Sequence, residues 1–241
     1  MRTGILTYGE ERVPYTIHEV AGRTSRIAIH VDPDGSVQVD APPGEPEERI
    51  DQAVRRRARW IVTHVADARA RFRHVSPREY VSGEQVLHLG RRYVLKVIVE
   101  PASPGGAKLV ANRLEVRLPD PNPTAVRTLV RLWRFARARS YFRKRIEALS
   151  KTLPWVSEPP QFELREMARQ WGNCAPDGRI VLNPNLVKAS RDAIDYVLVH
   201  ELAHLKHHNH GAEFTRLLDG AMPDWREIKA RLDAKVEVLN G

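Results

Sequence analysis

The chain turns on Ile194 to Phe214, I-D-Y-V-L-V-H-E-L-A-H-L-K-H-H-N-H-G-A-E-F, within which His200, Glu201 and His204 form the pattern H-E-x-x-H. Side chains four residues apart on an α-helix share a face, about 5–6 Å apart at Cβ. Two imidazoles so placed can reach one zinc ion at about 2.0–2.1 Å. Glu201 follows the first of them and can stand beside the ion without ligating it, where it can take a proton from the water the ion activates. Ile194, Leu198, Leu202 and Leu205 recur at helical spacing, so the stretch predicts a half-buried helix carrying His200 and His204 on one flank. Ser190 is its candidate N-cap, and Asp192 suits the positive pole of the helix dipole.

Five residues alone are a weak signal, since an amphipathic helix can present His and Glu to solvent. The context argues for a metal site. Leu198 and Val199 precede His200, and His207, His208 and His210 follow. A third ligand must approach from another direction, because three ligands on one straight helix lie nearly in a row and tetrahedral zinc does not accept them. A chain leaving the helix near Asn209-His210-Gly211 can supply it. His210 has the spacing of the third histidine in the metzincin pattern, although that pattern's glycine falls on His207. Glu213 is the rival, as in sites built from two histidines and one carboxylate. His207 and His208 read as a solvated helix end.

Four blocks resemble the YgjP-like metal-dependent hydrolases. Met167 to Cys174 reads M-A-R-Q-W-G-N-C, close to that family's M-x-x-x-W-G-S-C; Gly178 to Leu186 reads G-R-I-V-L-N-P-N-L, close to its G-x-I-x-L-N-x-x-L. Ile194 to His210 matches I-D-Y-V-x-x-H-E-L-A-H-L-x-x-x-N-H, and Pro223 with Trp225 matches a proline-aromatic pair. The resemblance implies a zincin-type catalytic fold related to SprT- and Spartan-like proteases. It implies His200, His204 and His210 as zinc ligands, Glu201 as base and a peptide or protein as substrate. Asn173 stands where the family has serine, which leaves open the role of a hydroxyl there.

With 241 residues the chain has room for one large domain or two small ones, and 42% hydrophobic residues suffice for a buried core. The single cysteine, Cys174, excludes an intramolecular disulfide and fits a reducing compartment. No apolar run opens the chain and none approaches the roughly 20 residues of a membrane span, so a cytoplasmic location without membrane contact is expected. The formal net charge of +9 attracts acidic partners.

In chain order, Tyr15–Val20, Arg26–Val31 and Ser36–Asp40 read as a small antiparallel meander turned by Asp32-Pro33-Asp34-Gly35. One long helix follows from Pro46 to Phe72, with Ile50, Val54, Ile61, Val65, Ala68 and Phe72 near one face. Arg55, Arg56, Arg57, Arg59, Arg69 and Arg71 lie opposite. Gln85–Leu89 with Tyr93–Val99, and Lys108–Val110 with Arg113–Leu118, read as hairpins. Asp120-Pro121-Asn122-Pro123 marks a lobe boundary. A basic helix over Thr124–Ser150 carries eight cations from Arg127 to Arg145 with Trp133, Phe135, Tyr141 and Phe142 between them; nucleic acid could stack there, or the aromatics could form the buried stripe of a packed helix. Phe162–Trp171 and Arg179–Leu182 read as strands joined through Pro176-Asp177-Gly178; the resemblance places this hairpin beside the zinc helix, where an edge strand of a zincin fold can receive a substrate peptide. Asp224 and Glu227 have capping-box spacing for a final helix with Trp225, Ile228, Leu232 and Val236 as its stripe.

The expected fold is α+β: an N-terminal antiparallel β-rich lobe with a long helix over residues 1–120, then a zincin-like lobe over 121–241 with the H-E-x-x-H helix beside a small sheet. A zinc metallopeptidase is the leading reading. A metal-dependent nucleotide phosphoanhydride hydrolase, its phosphates met by arginine, and a nucleic-acid-associated protein with structural zinc are the alternatives. Intact Glu201 counts against the last. For an oxyanion donor, His207, His208 and Arg169 are the candidates.

Overall fold

The structure is a computed structural model; the residues described are 2–20, 26–32, 35–72, 78–167 and 170–235, without the side chains of Arg69, Arg71 and Phe72. Pro33, Asp34, Arg169 and Val236, invoked above, lie outside the described residues. Two compact units are present, residues 1–76 and 77–241.

In the first unit, strands β1 (Arg2–Tyr8), β2 (Glu11–Glu19), β3 (Ala28–Val31) and β4 (Val37–Ala41) form a sheet in the order β1-β2-β4-β3. This is not the expected meander: β2 and β4 run parallel, with Ile17 opposite Val39, and only β1–β2 and β3–β4 are antiparallel. Strand β1 escaped sequence reading because only Leu6 of its seven residues is buried, so its alternation is faint. The expected single helix is two, α1 (Glu47–Arg56) and α2 (Ala58–Phe72), with Arg57 between them at φ −108°, ψ 13°. The break leaves the apolar stripe intact, since Ile50, Val54, Ile61 and Val65 all enter the core beneath the sheet.

The second unit opens with β5 (Gln85–His88), β6 (Arg91–Val99), β7 (Gly106–Val110) and β8 (Arg113–Leu118), in the order β5-β6-β8-β7. Both expected hairpins are present, joined by a parallel β6–β8 seam. Helix α3 (Pro123–Ser150) follows, started by Pro123 in its first turn and by Asn122 Oδ1 accepting from the Ala125 N–H at 2.8 Å. Its N-terminal half gives Val126, Val130 and Trp133 to the core under the four-stranded sheet. Its C-terminal half gives Ala138, Phe142 and Ile146 to a second core shared with the helix over Arg191–Ala203. This shared helix is why the chain does not divide at residue 120: the Pro-rich stretch there is a short β8–α3 connection inside one unit.

The remaining elements are β9 (Phe162–Leu164), β10 (Gly172–Cys174), β11 (Ile180–Leu182), a 3-10 turn (Pro184–Lys188), α4 (Arg191–Ala203), α5 (Ala212–Ala221) and α6 (Trp225–Asp233). The long strand expected from Phe162 to Trp171 is only the short β9, ending at Leu164; the next strand, β10, starts at Gly172 and lies on the opposite side of β11, in the order β10-β11-β9. The fully buried amide of Asn183 explains the interruption. It donates to the Met167 and Gln170 carbonyls at 2.7 and 3.1 Å, groups that a continuous ladder would have used.

Three of the seven arginines of α3 bind side chains elsewhere in the fold. Arg145 makes a two-pronged bond to Asp195 of α4 at 2.8 and 2.9 Å, and the Nε–H of Arg131 is shared between the two carboxylate oxygens of Glu166 at 3.0 and 3.1 Å. Arg134 is 7% exposed and donates to Asn185 Oδ1 at 2.9 Å. Trp133 and Phe142 are buried, and the Arg131 guanidinium covers the Phe135 ring. No helix among the described residues is long and apolar enough to cross a membrane.

Candidate metal centre

Helix α4 is fixed before its histidines are reached. The β5–β6 turn docks against its start: Leu89 and Gly90 donate to the Val187 and Lys188 carbonyls at 2.8 and 3.2 Å. Gly90 has φ +75°, and a Cβ there would lie 2.9 Å from the Ser190 Cα, so both conformation and space demand glycine. Ser190 precedes α4 without capping an N–H through its hydroxyl. Further along, Arg145 grips Asp195, and the Trp155 indole donates to the Leu202 carbonyl at 3.1 Å. Ile194, Leu198 and Leu202 face the core as their spacing predicted.

The helix ends at Ala203 with His204 as its C-cap. The chain then turns, and His210 comes back over the helix end. One nitrogen from each of His200, His204 and His210 lies within 4.8 Å of the others, and Nε2 of His200 and of His210 are 3.1 Å apart. Phe214 forms the floor, its buried ring 5.0, 4.6 and 4.8 Å from the rings of His200, His204 and His210. Glu213 points elsewhere: its carboxylate faces His207 Nδ1 at 3.6 Å and is mostly exposed.

These residues fit a divalent metal. Nδ1 of His204 lies 3.0 Å from the His207 carbonyl, an oxygen that can only accept; a proton on Nδ1 leaves the Nε2 lone pair free to ligate. Burial, then the neighbouring His204 and His210, pushes His200 down to about 4, so its imidazole is neutral at physiological pH, the state a ligand needs. His200 Nδ1 is enclosed without a hydrogen-bond partner, which leaves Nε2 as the nitrogen with access to the cluster. Three imidazole nitrogens suit zinc better than calcium or magnesium, which prefer oxygen.

Glu201, next to His200, is 5% exposed, and burial pushes its carboxyl up to about 8. A divalent cation beside it would favour the carboxylate. Gly172 of β10 presses on this group: a Cβ there would fall 2.6 Å from Glu201 Oε1. The sequence displayed Gly172 only as a letter in W-G-N-C; its contact with Glu201 is a tertiary fact. Phe214 was likewise visible only as an aromatic beyond the histidines.

A cleft of about 490 Å³ opens over the cluster. Trp171 and Asn173 border one side, and Tyr196, Lys229, Leu232 and Asp233 border the other. Tyr196 stacks on Trp225 with planes 6° apart, and the Trp225 indole donates to Asp219 at 2.8 Å, so this wall is braced. Asn173 is exposed in the cleft, and His208 lines it. Strand β10 is a sheet edge. The Asn183 N–H to Trp171 carbonyl bond and the Ala175 N–H to Arg179 carbonyl bond place 171 and 175 as bonded positions toward β11. By the alternation of an antiparallel ladder, the backbone groups of Gly172 and Cys174 point to the open edge.

A profile of the YgjP-like metallopeptidase domain matches residues 25–235. No curated protein matches the chain. Among solved structures, the zymogen of the metallopeptidase abylysin from Pyrococcus abyssi is 26% identical, covers 37% of this chain and 93% of its own, and superposes with a TM-score of 0.35. The zymogen of the metallopeptidase jannalysin from Methanocaldococcus jannaschii is 21% identical, covers 39% and 94%, and has a TM-score of 0.35.

Proposed function

This chain belongs to the YgjP-like metallopeptidase family and is a metal-dependent peptidase; we propose that its metal is zinc, held by His200, His204 and His210, and that Glu201 is its general base. The observation that carries this reading is the convergence of three imidazole nitrogens within 4.8 Å beside a buried carboxyl group. Bound zinc supplies Lewis acidity, polarising a carbonyl and bringing the pKa of water toward about 7. The carboxylate of Glu201 accepts the proton of the attacking water and passes it to the leaving amine nitrogen. Gly172 lets that carboxylate sit against β10 with little freedom to swing, so its orientation is set before substrate arrives. A substrate peptide pairs with the open edge of β10 through the backbone of Gly172 and Cys174, which lays its scissile bond along the cleft. The apolar rings of Trp171 and Tyr196 exclude water from its flanks.

The test is metal analysis of purified protein followed by cleavage of a diverse peptide mixture, read by mass spectrometry, with Glu201→Gln as the control. One zinc per chain and peptide cleavage reduced by about 10²–10⁴-fold in Glu201→Gln are expected. Nucleotide hydrolysis that depends on Glu201, without peptide cleavage, would instead select the phosphoanhydride reading.

A further inference from the structure

Helix α3 holds its aromatics inward or under an arginine, and three of its cations have partners. The pairing of open ring and free cation is realised on α2. Trp60 is 39% exposed and packs on His64, with ring centroids 4.3 Å apart. The His64 ring is held in turn by a 2.9 Å contact from Nδ1 to the Trp60 carbonyl. Beside the indole, Arg56, Arg57, Arg59 and Thr63 border a shallow surface depression of about 620 Å³. The three arginines are exposed, and their side chains have no hydrogen-bond or ion-pair partner among the described residues. No acidic residue occurs between Asp51 and Asp67, and Asp51 itself accepts from the Tyr15 hydroxyl.

We propose that the α1–α2 junction binds single-stranded nucleic acid, with a base stacked on Trp60 and its flanking phosphates held by Arg56, Arg57 and Arg59. The chemistry selects this ligand. Three unpaired guanidiniums around an acid-free surface demand a polyanion, and an exposed indole backed by imidazole demands a flat ring. An acidic peptide supplies the charge without the ring. A duplex supplies the charge but keeps its base faces in the stack. An anionic membrane would meet a single large apolar residue here, since Thr63 and His64 flank it. The Arg57 break between the helices sets the cations of α1 and of α2 on separate axes around the indole.

Fluorescence anisotropy of a short dye-labelled oligothymidylate, titrated with the intact metal-loaded chain, tests this. Trp60→Ala is expected to weaken binding roughly 5- to 150-fold, the usual worth of one stacked base, while Trp60→Phe retains most of the affinity. Joint replacement Arg56→Gln, Arg57→Gln and Arg59→Gln should flatten the slope of log affinity against log salt by roughly 2, at about 0.7 per phosphate. All four side chains are solvent-exposed, so circular-dichroism melts of these variants should overlay the parent and separate binding from folding. Parent-like binding by Trp60→Ala overturns the proposal. So does equal affinity for the duplex, equal affinity for thymidine monophosphate, or capture by phosphatidylserine vesicles in place of the oligonucleotide. Loss of binding in Arg127→Gln, Arg139→Gln, Arg143→Gln combined, with none in the α2 variants, overturns it by moving the site to α3.

Discussion

Replacing Gly172 by alanine should silence the peptidase without emptying its metal centre. The added Cβ would stand 2.6 Å from Glu201 Oε1 and 2.7 and 2.8 Å from its Cγ and Cδ, where ordinary contact begins at 3.4 Å. Either the carboxylate retreats by about 0.8 Å or β10 moves away from α4 by a similar amount. The carboxylate is 5% exposed with α4 and β10 around it, so it cannot swing freely into solvent. A displacement near 1 Å of a catalytic group costs about 10²-fold, and complete loss of general-base assistance about 10²–10⁴-fold. Turnover of a peptide substrate should therefore fall at least about 10²-fold. Zinc content should stay at the parental level, because Gly172 lies against the base and not against His200, His204 or His210. Adding Gly172→Ala to Glu201→Gln should cost little more, since both act on one group. Parental turnover in Gly172→Ala, or full additivity in the double variant, would refute the idea that β10 positions Glu201.

Zinc affinity should fall more than about 100-fold in His210→Ala, beyond the loss of an outer partner, and far less in His207→Ala, His208→Ala or Glu213→Ala; competition with a chromogenic chelator measures all four. His88 should contribute an acid-sensitive slope to stability. Burial, then Arg137 and Arg191, pushes it down to about 4, so the unfolded chain takes up its proton first: the contribution is complete above about pH 7 and declines as pH falls through 6.5 toward 4. Relative to pH 8, His88→Phe should spare about 2 kcal/mol of the stability lost by the parent at pH 5, read from urea melts at the two pH values. Arg145→Met should cost about 1–2 kcal/mol in a urea melt by stripping Asp195 of its two-pronged partner, and Asp195→Asn combined with it should add little.

Local signals carried far into this fold. The periodicity of Ile194, Leu198 and Leu202 placed α4, and the paired strand segments either side of residues 90–92 and 111–112 placed both hairpins of the second sheet. The His-Glu-His spacing identified the elements that the structure gathers around one point. Nonlocal facts were hidden. That β2 pairs in parallel with β4, and β9 with β11, depends on which strand lies between its neighbours, and alternation along one strand does not encode it. Asn183 reads as a polar residue in a loop, yet its buried amide decides where the strand from Phe162 stops. The aromatic and cationic content of α3 invited a binding face, but the stripe through Trp133 and Phe142 belongs to the core. On α2, Trp60 sits among arginines and was assigned no role because periodicity counts positions and cannot see which rings remain uncovered.

Helix α3 has a consequence for how this molecule can be cut and how it comes apart. Its first half closes the core of one sheet and its second half closes the core around α4, and no interruption separates them. A fragment begun at residue 121 would carry Val126, Val130 and Trp133 into solvent as a continuous sticky ridge. That ridge would drive self-association of the fragment. In the intact chain the same helix transmits loss of one core directly to the other, so residues 77–241 should open as a single foldon, their amides exchanging with one shared free energy and one shared dependence on denaturant.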